Sequence, residues 1–335
     1  MAAPSRPTIY DVAERAGVSK SLVSLVLTGS TSVSDQRRAA VLQAIDELGY
    51  LPSSAASSLA GTRTRTIGLA IEHFANLWFV ELLRGAREVL EPEGYQVIVG
   101  DHELAVFGGR DSLDAFASMR VDGLLLAFDP DTTPEIRHGM PYVVAGQRVL
   151  VDADATLVTN DDEHGGVLAT RHLIDLGHRS ILHVTGRGGA AAARRRGFET
   201  AMADAGLEAV VIGDGDETNE GPARAAMERH LDAGGEATAV FAANDSMALG
   251  CLGALRAAGR AVPDDVSVMG YDDSPLAQSS YLDLTTVDSR SLDVGREAAR
   301  ALLERIADPD RAPSSLRLEP FLVERSSTSA PPAQK

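Results

Sequence analysis

Two lysines and one cysteine in 335 residues set the first limits on this chain. The lone cysteine, Cys251, excludes an internal disulfide framework and any metal site built on several cysteines. Aromatic residues make up only 4% of the chain, with Trp78 its single tryptophan. No apolar run approaches the ~20 residues that a membrane span needs. The opening stretch MAAPSRPTIYD contains no apolar segment of the secretory kind. These absences predict a cytoplasmic protein with no membrane partner. Positive charge is scarce as well: 31 basic residues face 48 acidic ones, for a net charge of −17. Taken whole, such a chain repels nucleic acid.

What is present is distributed unevenly. Residues 1–66 carry seven basic and five acidic residues, a balance of +2, and the remainder carries −19. An acidic body repels phosphate, so the mildly basic head is the one plausible nucleic-acid surface. The length allows two or three domains, and 44% hydrophobic with 24% charged residues is an ordinary globular composition.

Within the head, Thr8 is placed to cap a helix, with Asp11 as its capping-box partner and Gly17 at the helix end. Ser19 is placed to cap a second helix with Leu22, Val23 and Val26 facing inward and Lys20, Ser21 and Ser24 outward. Ser34 is placed to cap a third, with Val41, Leu42, Ile45 and Leu48 inward and Gly49 at its end. Two helices joined by a short glycine turn, with a supporting third, form a helix-turn-helix. Lys20 and Ser21 open the second helix, the end that enters a major groove. On these signals alone, a generic three-helix packing module with a solvated lysine stays open.

The stretches TIYDVAERAGVSKSLVSLVL and VSDQRRAAVLQAIDELGYLP resemble the DNA-binding head of the lactose-repressor (LacI/GalR) family of bacterial regulators. The resemblance implies that Tyr10, Ser19, Lys20, Ser21, Ser24, Leu25, Ser34 and Tyr50 meet operator bases or phosphates. Two positions depart from the family pattern: Leu25 stands where arginine is usual, and Thr28 where asparagine is usual. Losing that arginine removes a bidentate guanine contact, which alters the expected operator. The segment LPSSAASSLAGTRTRT matches the family's hinge. By composition alone this serine- and alanine-rich run is a flexible linker. The resemblance implies a short helix that folds on DNA, with Ala56 and Leu59 at the duplex and Leu59 as a minor-groove wedge. Ser53 and Ser57 replace the usual asparagine and arginine, leaving Arg63 and Arg65 as the hinge's cations.

From Thr66 the pattern changes to short β-branched runs separated by helical ones. TIGLAI, YQVIVGD, GLLLAF, YVVAG, SILHVTG, AVVIGD, TAVFAAND and VSVMGYDD read as strands. The fold class is therefore α/β, with parallel sheets covered by helices behind an all-α head. An internal echo supports two similar halves. RGAREVLEPEGYQVIVGD and RGFETAMADAGLEAVVIGD both space two glycines nine residues apart and end in Gly-Asp. The stretches TRHLIDLGHRSI, VFAANDSMALG and VPDDVSVMGYDD resemble the same family's two-lobed body, of periplasmic-binding-protein architecture. The expected organisation is a head at 1–51, a hinge at 52–65, an effector and dimerisation body at 66–328 and a disordered tail at 329–335.

Open α/β sheets bind ligands beyond the carboxyl ends of their strands. Arg194, Asn244 and Asp272 lie at such ends and match effector-contacting positions of the family. Trp78 and Phe79, opening a helix after a strand, can stack on a sugar face. Packing of Trp78 into the core with Leu82 is an equal alternative. His73 and Asn76 complete the candidate set. The doublets Asp161-Asp162 and Asp272-Asp273 suggest carboxylate pairs for acid–base or metal work, but adjacent strand residues point to opposite faces and no histidine or cysteine spacing joins them into a ligand set; acidic loops are mostly solvated. TGRGGA, from Thr185 to Ala190, lacks both GxGxxG spacing and a phosphate-loop lysine. No catalytic set, metal site or cofactor is expected. The resemblance implies a ligand-responsive regulator, a repressor by expectation, that binds a pseudo-palindromic operator as a homodimer and takes a small sugar as effector. A solute-binding protein of a sugar transporter and an α/β sugar-modifying enzyme are the alternatives from other classes.

Overall fold

Local signals set the three helices among the described residues of the N-terminal unit. The computed structural model describes residues 7–27, 30, 32–50, 63–101, 112–129, 136, 140–147 and 155–332, and the chain divides into units 1–64 and 65–335. The hinge residues Ser53, Ala56, Ser57 and Leu59, and Thr28 in the head, lie outside the described residues. Helix α1 (Ile9–Ala16) begins with the expected capping box: the Thr8 hydroxyl accepts the Asp11 N–H, and the Thr8 N–H donates to the Asp11 carboxylate at 2.6 Å. Gly17 ends it in the left-handed conformation (φ 64°), where a side chain would be strained. Helix α2 (Lys20–Leu27) is capped by the Ser19 hydroxyl, which accepts the Leu22 N–H at 3.3 Å. Helix α3 (Asp35–Leu48) starts after Ser34, but the Ser34 hydroxyl makes no capping bond.

Val12, Val23, Val26, Val41 and Ala44 form the head's core, joined by Tyr50. Leu42, expected inward, is 52% exposed. Positions 41, 44, 45 and 48 already complete the buried stripe of α3, and residue 42 falls outside that arc.

In the second unit, β1 (Thr66–Ile71), β2 (Gln96–Asp101), β3 (Gly123–Ala127), β4 (Tyr142–Ala145), β5 (Thr156–Asn160) and β11 (Ser315–Leu318) build a parallel sheet in the order β11-β5-β4-β3-β1-β2. Helices α4 (Trp78–Leu90), α5 (Ser112–Met119) and α10 (Ser291–Ala307) belong to this lobe. The second lobe has β6 (Ile181–Val184), β7 (Val210–Ile212), β8 (Ala239–Ala242) and β9 (Ser267–Met269), parallel in the order β7-β6-β8-β9. Its helices are α6 (Asp162–Asp175), α7 (Gly189–Asp204), α8 (Glu220–Asp232) and α9 (Asp245–Ala257). An antiparallel pair, β10 (Thr286–Asp288) with β12 (Phe321–Val323), accompanies it. Among the described residues the chain passes between lobes three times: after β5, between β10 and α10, and between β11 and β12. The central strands β3 and β8, and β1 after Thr66, are apolar and buried, as burial on both faces of a parallel sheet demands.

The internal echo has a packing cause. Gly85 on α4 and Gly197 on α7 each sit where two helices cross almost backbone to backbone. A Cβ on Gly85 would lie 1.9 Å from the Leu292 carbonyl oxygen of α10, and one on Gly197 2.1 Å from the Glu163 carbonyl oxygen of α6. Gly166 on α6 faces the Arg194 carbonyl oxygen as closely, at 2.3 Å. The α6–α7 pair therefore packs near enough for their side chains to meet across the crossing.

Two boundaries differ from expectation. Arg65, assigned to the hinge as a cation, is tied to the body. Its N–H donates to Asp122, its guanidinium to the Glu93 carbonyl, and it lies 5.0 Å from the Tyr95 ring centroid. The tail is held at its start, because Ser329 accepts from His178 at 2.8 Å and donates to the Ser267 hydroxyl at 3.0 Å. Local sequence polarity suggested a free end, whereas two buried partners secure it, His178 just before β6 and Ser267 on β9.

Candidate functional site

In the head, α2 presents Lys20 and Ser21 to solvent, with Ser19 just before them and Tyr10 across from α1. Tyr10 is 63% exposed and Leu25 43%. Lys20 Nζ lies 3.3 Å from the Tyr10 hydroxyl and 4.9 Å from the ring centroid, so the two side chains form one preorganised polar tip. Ser34 is exposed and Ser24 half-buried. Tyr50 differs from the others: at 6% exposure its ring belongs to the head's core, which contributes to packing rather than to an open face.

In the body, the strand ends converge on one cleft. Asn160 ends β5 and Asp162 opens α6; Arg194 lies on α7; Asn244 precedes α9; Asp272 follows β9. Trp78 and Phe79 open α4 on the other lobe, and Asn76 turns the chain into that helix by accepting the Trp78 N–H at 3.1 Å. All of these line the cleft, together with Glu72, Asp129, Gln147, Arg187 and Thr218. The space between them, open solvent included, is about 510 Å³. His73, expected among them, does not line it.

The centre of the cleft is a buried ion cluster. The Arg194 guanidinium donates from Nε to Asp162 at 2.8 Å, from Nη2 to Asp272 at 3.0 Å and from Nη1 to the Ala243 carbonyl at 2.6 Å. Its Cζ sits 3.7 Å from the centroid of the Tyr271 ring. Asn160 donates to Asp162 at 2.9 Å and lies 3.3 Å from the Tyr271 hydroxyl. The three charges are all buried. Burial pushes the Asp272 carboxyl up to about 6, with Arg194 drawing it down and Asp162 pushing it further up. Burial alone would lower Arg194, but Asp272 and Asp162 hold it above the usual arginine range, so it stays charged. Asp245, bonded to the Thr286 hydroxyl and the Ser274 N–H, is pushed up to about 7 by burial and by the charge on Asp272. Asp272 also has φ 104°, a strained conformation for a residue with a side chain, at roughly 1–3 kcal/mol. The strain aims its carboxylate at Arg194.

Both acidic doublets split between two roles. Asp161 caps α6 by accepting the His164 N–H while Asp162 turns to Arg194. Asp273 pairs with Arg325 while Asp272 turns to Arg194. Reading Asp162 as part of a solvated loop is therefore corrected, because it finds a buried cation far along the chain. Arg195 and Arg196 pair at the surface with Glu199, Asp214 and Glu163.

Asn244 is more committed than its sequence position suggests. Its oxygen caps α9 on the Met247 N–H at 2.8 Å and its amide donates to the Thr218 carbonyl at 3.0 Å. Trp78 and Phe79 meet edge to face at 5.2 Å and pack into the lobe core with Leu82 while also lining the cleft, so the core and binding readings coexist. An apolar aromatic wall facing a guanidinium between two carboxylates suits a ligand with a flat face and a rim of hydroxyls. Sequence reasoning missed Asn160, Asp162, Tyr271 and Asp129. The one available signal was that Asn160 ends a strand and that Asp162 and Tyr271 each follow a strand by two residues.

Residues 8–53 match the family described as bacterial regulatory proteins, lacI family, and residues 170–328 match the periplasmic binding protein-like domain. The chain is 36% identical to the HTH-type transcriptional regulator CelR of Thermobifida fusca, over 96% of this chain and 98% of that protein. It is 35% identical to the HTH-type transcriptional repressor PurR of Vibrio atlanticus, over 95% and 98% respectively. Among solved structures, a CelR–cellobiose complex matches with a TM-score of 0.70 at 35% identity, over 96% of this chain and 100% of that one. The lac repressor dimer bound to operator and the anti-inducer ONPF matches with a TM-score of 0.81 at 27% identity, over 97% and 100%. With its helix-turn-helix head and its two-lobed periplasmic-binding-protein-like body, the chain belongs to the LacI family of bacterial transcriptional regulators.

Proposed function

We propose that this regulator is a repressor that binds a pseudo-palindromic operator as a homodimer and responds to a small neutral sugar held between its lobes. The observation that carries the ligand reading is the Arg194 cluster opposite Trp78 and Phe79. Guanidinium and carboxylates pair with adjacent hydroxyls, and the aromatic wall takes the apolar sugar face. The likeness to a regulator solved with cellobiose supports that class of ligand.

One short helix-turn-helix reads a half-site, so two copies are needed for a full operator. The likeness to an operator-bound repressor dimer supports the same assembly. Tyr10, Ser19, Lys20, Ser21, Ser24, Leu25 and Ser34 are the proposed DNA contacts, with Leu59 and Ala56 at the hinge. The proposed effector contacts are Asn76, Trp78, Phe79, Arg194, Asn244 and Asp272. Sugar binding biases one lobe arrangement over another only through differential affinity for the two. No catalysis is assigned to the cleft, and the protein acts in the cytoplasm on this reading.

Selection of bound sequences from random duplex DNA, followed by affinity measurements with and without glucose, cellobiose and other neutral sugars, tests the proposal. Enrichment of a two-fold symmetric site whose affinity changes with one sugar is the expected result. A response to a nucleobase alone would refute the sugar reading, and enrichment of no symmetric site would refute the operator reading.

A further inference from the structure

We propose that Asp129 is a specificity-determining residue that bars anionic sugars, meaning sugar phosphates and sugar acids, from the cleft; this rests on the cleft being the sugar site. Helix α7 begins at the cleft, where Gly188, Ala190 and Ala191 contribute to the lining. A helix N-terminus with open N–H groups and a favourable dipole attracts an anion. Gly188 occupies the N-cap position at φ 101° and has no side chain to cap the helix. The cap comes instead from the other lobe, sixty residues earlier: Asp129 Oδ2 accepts the Gly189 N–H at 2.9 Å. A Cβ on Gly188 would stand only 3.0 Å from that same oxygen, so the carboxylate is seated against bare backbone. The position a ligand phosphate would take is held by a carboxylate of the protein.

The surrounding charges reinforce the exclusion. Glu72, Asp129, Asp162 and Asp272 line the cleft against Arg187 and Arg194, an excess of two negative charges. Arg194 already bridges two of those carboxylates. A sugar hydroxyl can donate to a carboxylate, whereas an ionised phosphate oxygen can only accept and is repelled. The same groups that welcome a neutral polyol therefore reject its phosphorylated form.

The test uses the full chain and its variants Asp129→Ala and Asp129→Asn, with calorimetry against inorganic phosphate, glucose 6-phosphate, glucose and cellobiose near pH 8 and at low salt. Asp129→Ala frees the Gly189 N–H and removes a charge, and should raise affinity for glucose 6-phosphate or phosphate by at least roughly tenfold. Asp129→Asn keeps an acceptor on that N–H while losing the charge, and should gain less, about threefold. Trp78 fluorescence and thermal unfolding check that each variant is folded; where Asp129→Ala is not, the Asn variant decides alone. Wild-type affinity for glucose 6-phosphate equal to that of the folded variants would overturn the proposal. Failure of the wild type to bind any neutral sugar would refute the sugar reading, and a gain of phosphate binding in Asp129→Ala would still uphold the anion filter.

Discussion

Replacing Arg194 with methionine keeps most of the side-chain volume and removes the charge, isolating what the cation does. Asp162 and Asp272 are then left buried without a counter-ion, and three donated hydrogen bonds are lost. Breaking one side of a buried ion pair costs about 3–5 kcal/mol. The guanidinium over Tyr271 adds to that loss, by up to ~2 kcal/mol for a desolvated cation on a ring. The penalty must depend on pH. Asp272 titrates at about 6 with Arg194 beside it, already above its unfolded value of 3.8, and without the cation its pKa rises further. A carboxyl with a raised folded pKa costs stability above that pKa and costs none below the unfolded value. The variant's deficit should thus be largest near pH 8 and shrink toward pH 5 as Asp272 takes up a proton, by about 1.4 kcal/mol for each added unit of pKa shift. The chain's only tryptophan, Trp78, lies in the body's core beside the cleft, so its fluorescence during urea unfolding reports the body without the head. A deficit below about 1 kcal/mol, or one equal at both pH values, would show that the carboxylates do not depend on Arg194.

Lys20→Ala should weaken operator binding and lower the slope of log affinity against log salt by about one unit if Lys20 meets a phosphate; unchanged binding at every salt concentration removes it from the interface. Gly85→Ala should destabilise the body by at least ~1–3 kcal/mol, because the new methyl would sit 1.9 Å from the Leu292 carbonyl oxygen. Gly221→Ala, on α8 with nothing nearer than 3.9 Å, should be neutral or stabilising by up to ~1 kcal/mol, and equal urea midpoints for the two would refute the close-packing account. His183, donating from Nδ1 to the Phe241 carbonyl between Phe198 and Phe241, is pushed down to about 4 by burial. The unfolded chain therefore binds a proton below about 6.5 that the folded chain refuses until about 4, and stability falls by up to ~3 kcal/mol across that window. His183→Phe should flatten this part of the pH–stability curve, and an unchanged slope between pH 6.5 and 4 would exclude His183 as its source.

Much of the architecture could be read along the chain because its causes are local. The Thr8–Asp11 capping box, the left-handed Gly17 and the Ser19 cap each involve groups three or four residues apart. The parallel strands follow from continuous β-branched runs. The repeated Gly-x8-Gly spacing marks glycines with one job in both lobes. Gly85 and Gly197 let helices touch, and Gly94 and Gly206 turn the chain at positive φ.

The partners of the cleft's charged side chains do not follow from local rules. Asp162 and Asp272 meet Arg194 across 32 and 78 residues, and Asp129 caps α7 across sixty. Tyr50 and Ser34 show the same limit in the head, one drawn into the core and the other leaving its helix uncapped. The sequence by itself determined the helix-turn-helix, the alternating α/β body and the strand ends from which ligand groups would come, since hydrogen bonds and periodicity act over a few residues. Only the tertiary structure decided which charges neutralise one another, because three crossings between lobes bring together groups whose separation along the chain carries no energy until the fold closes it.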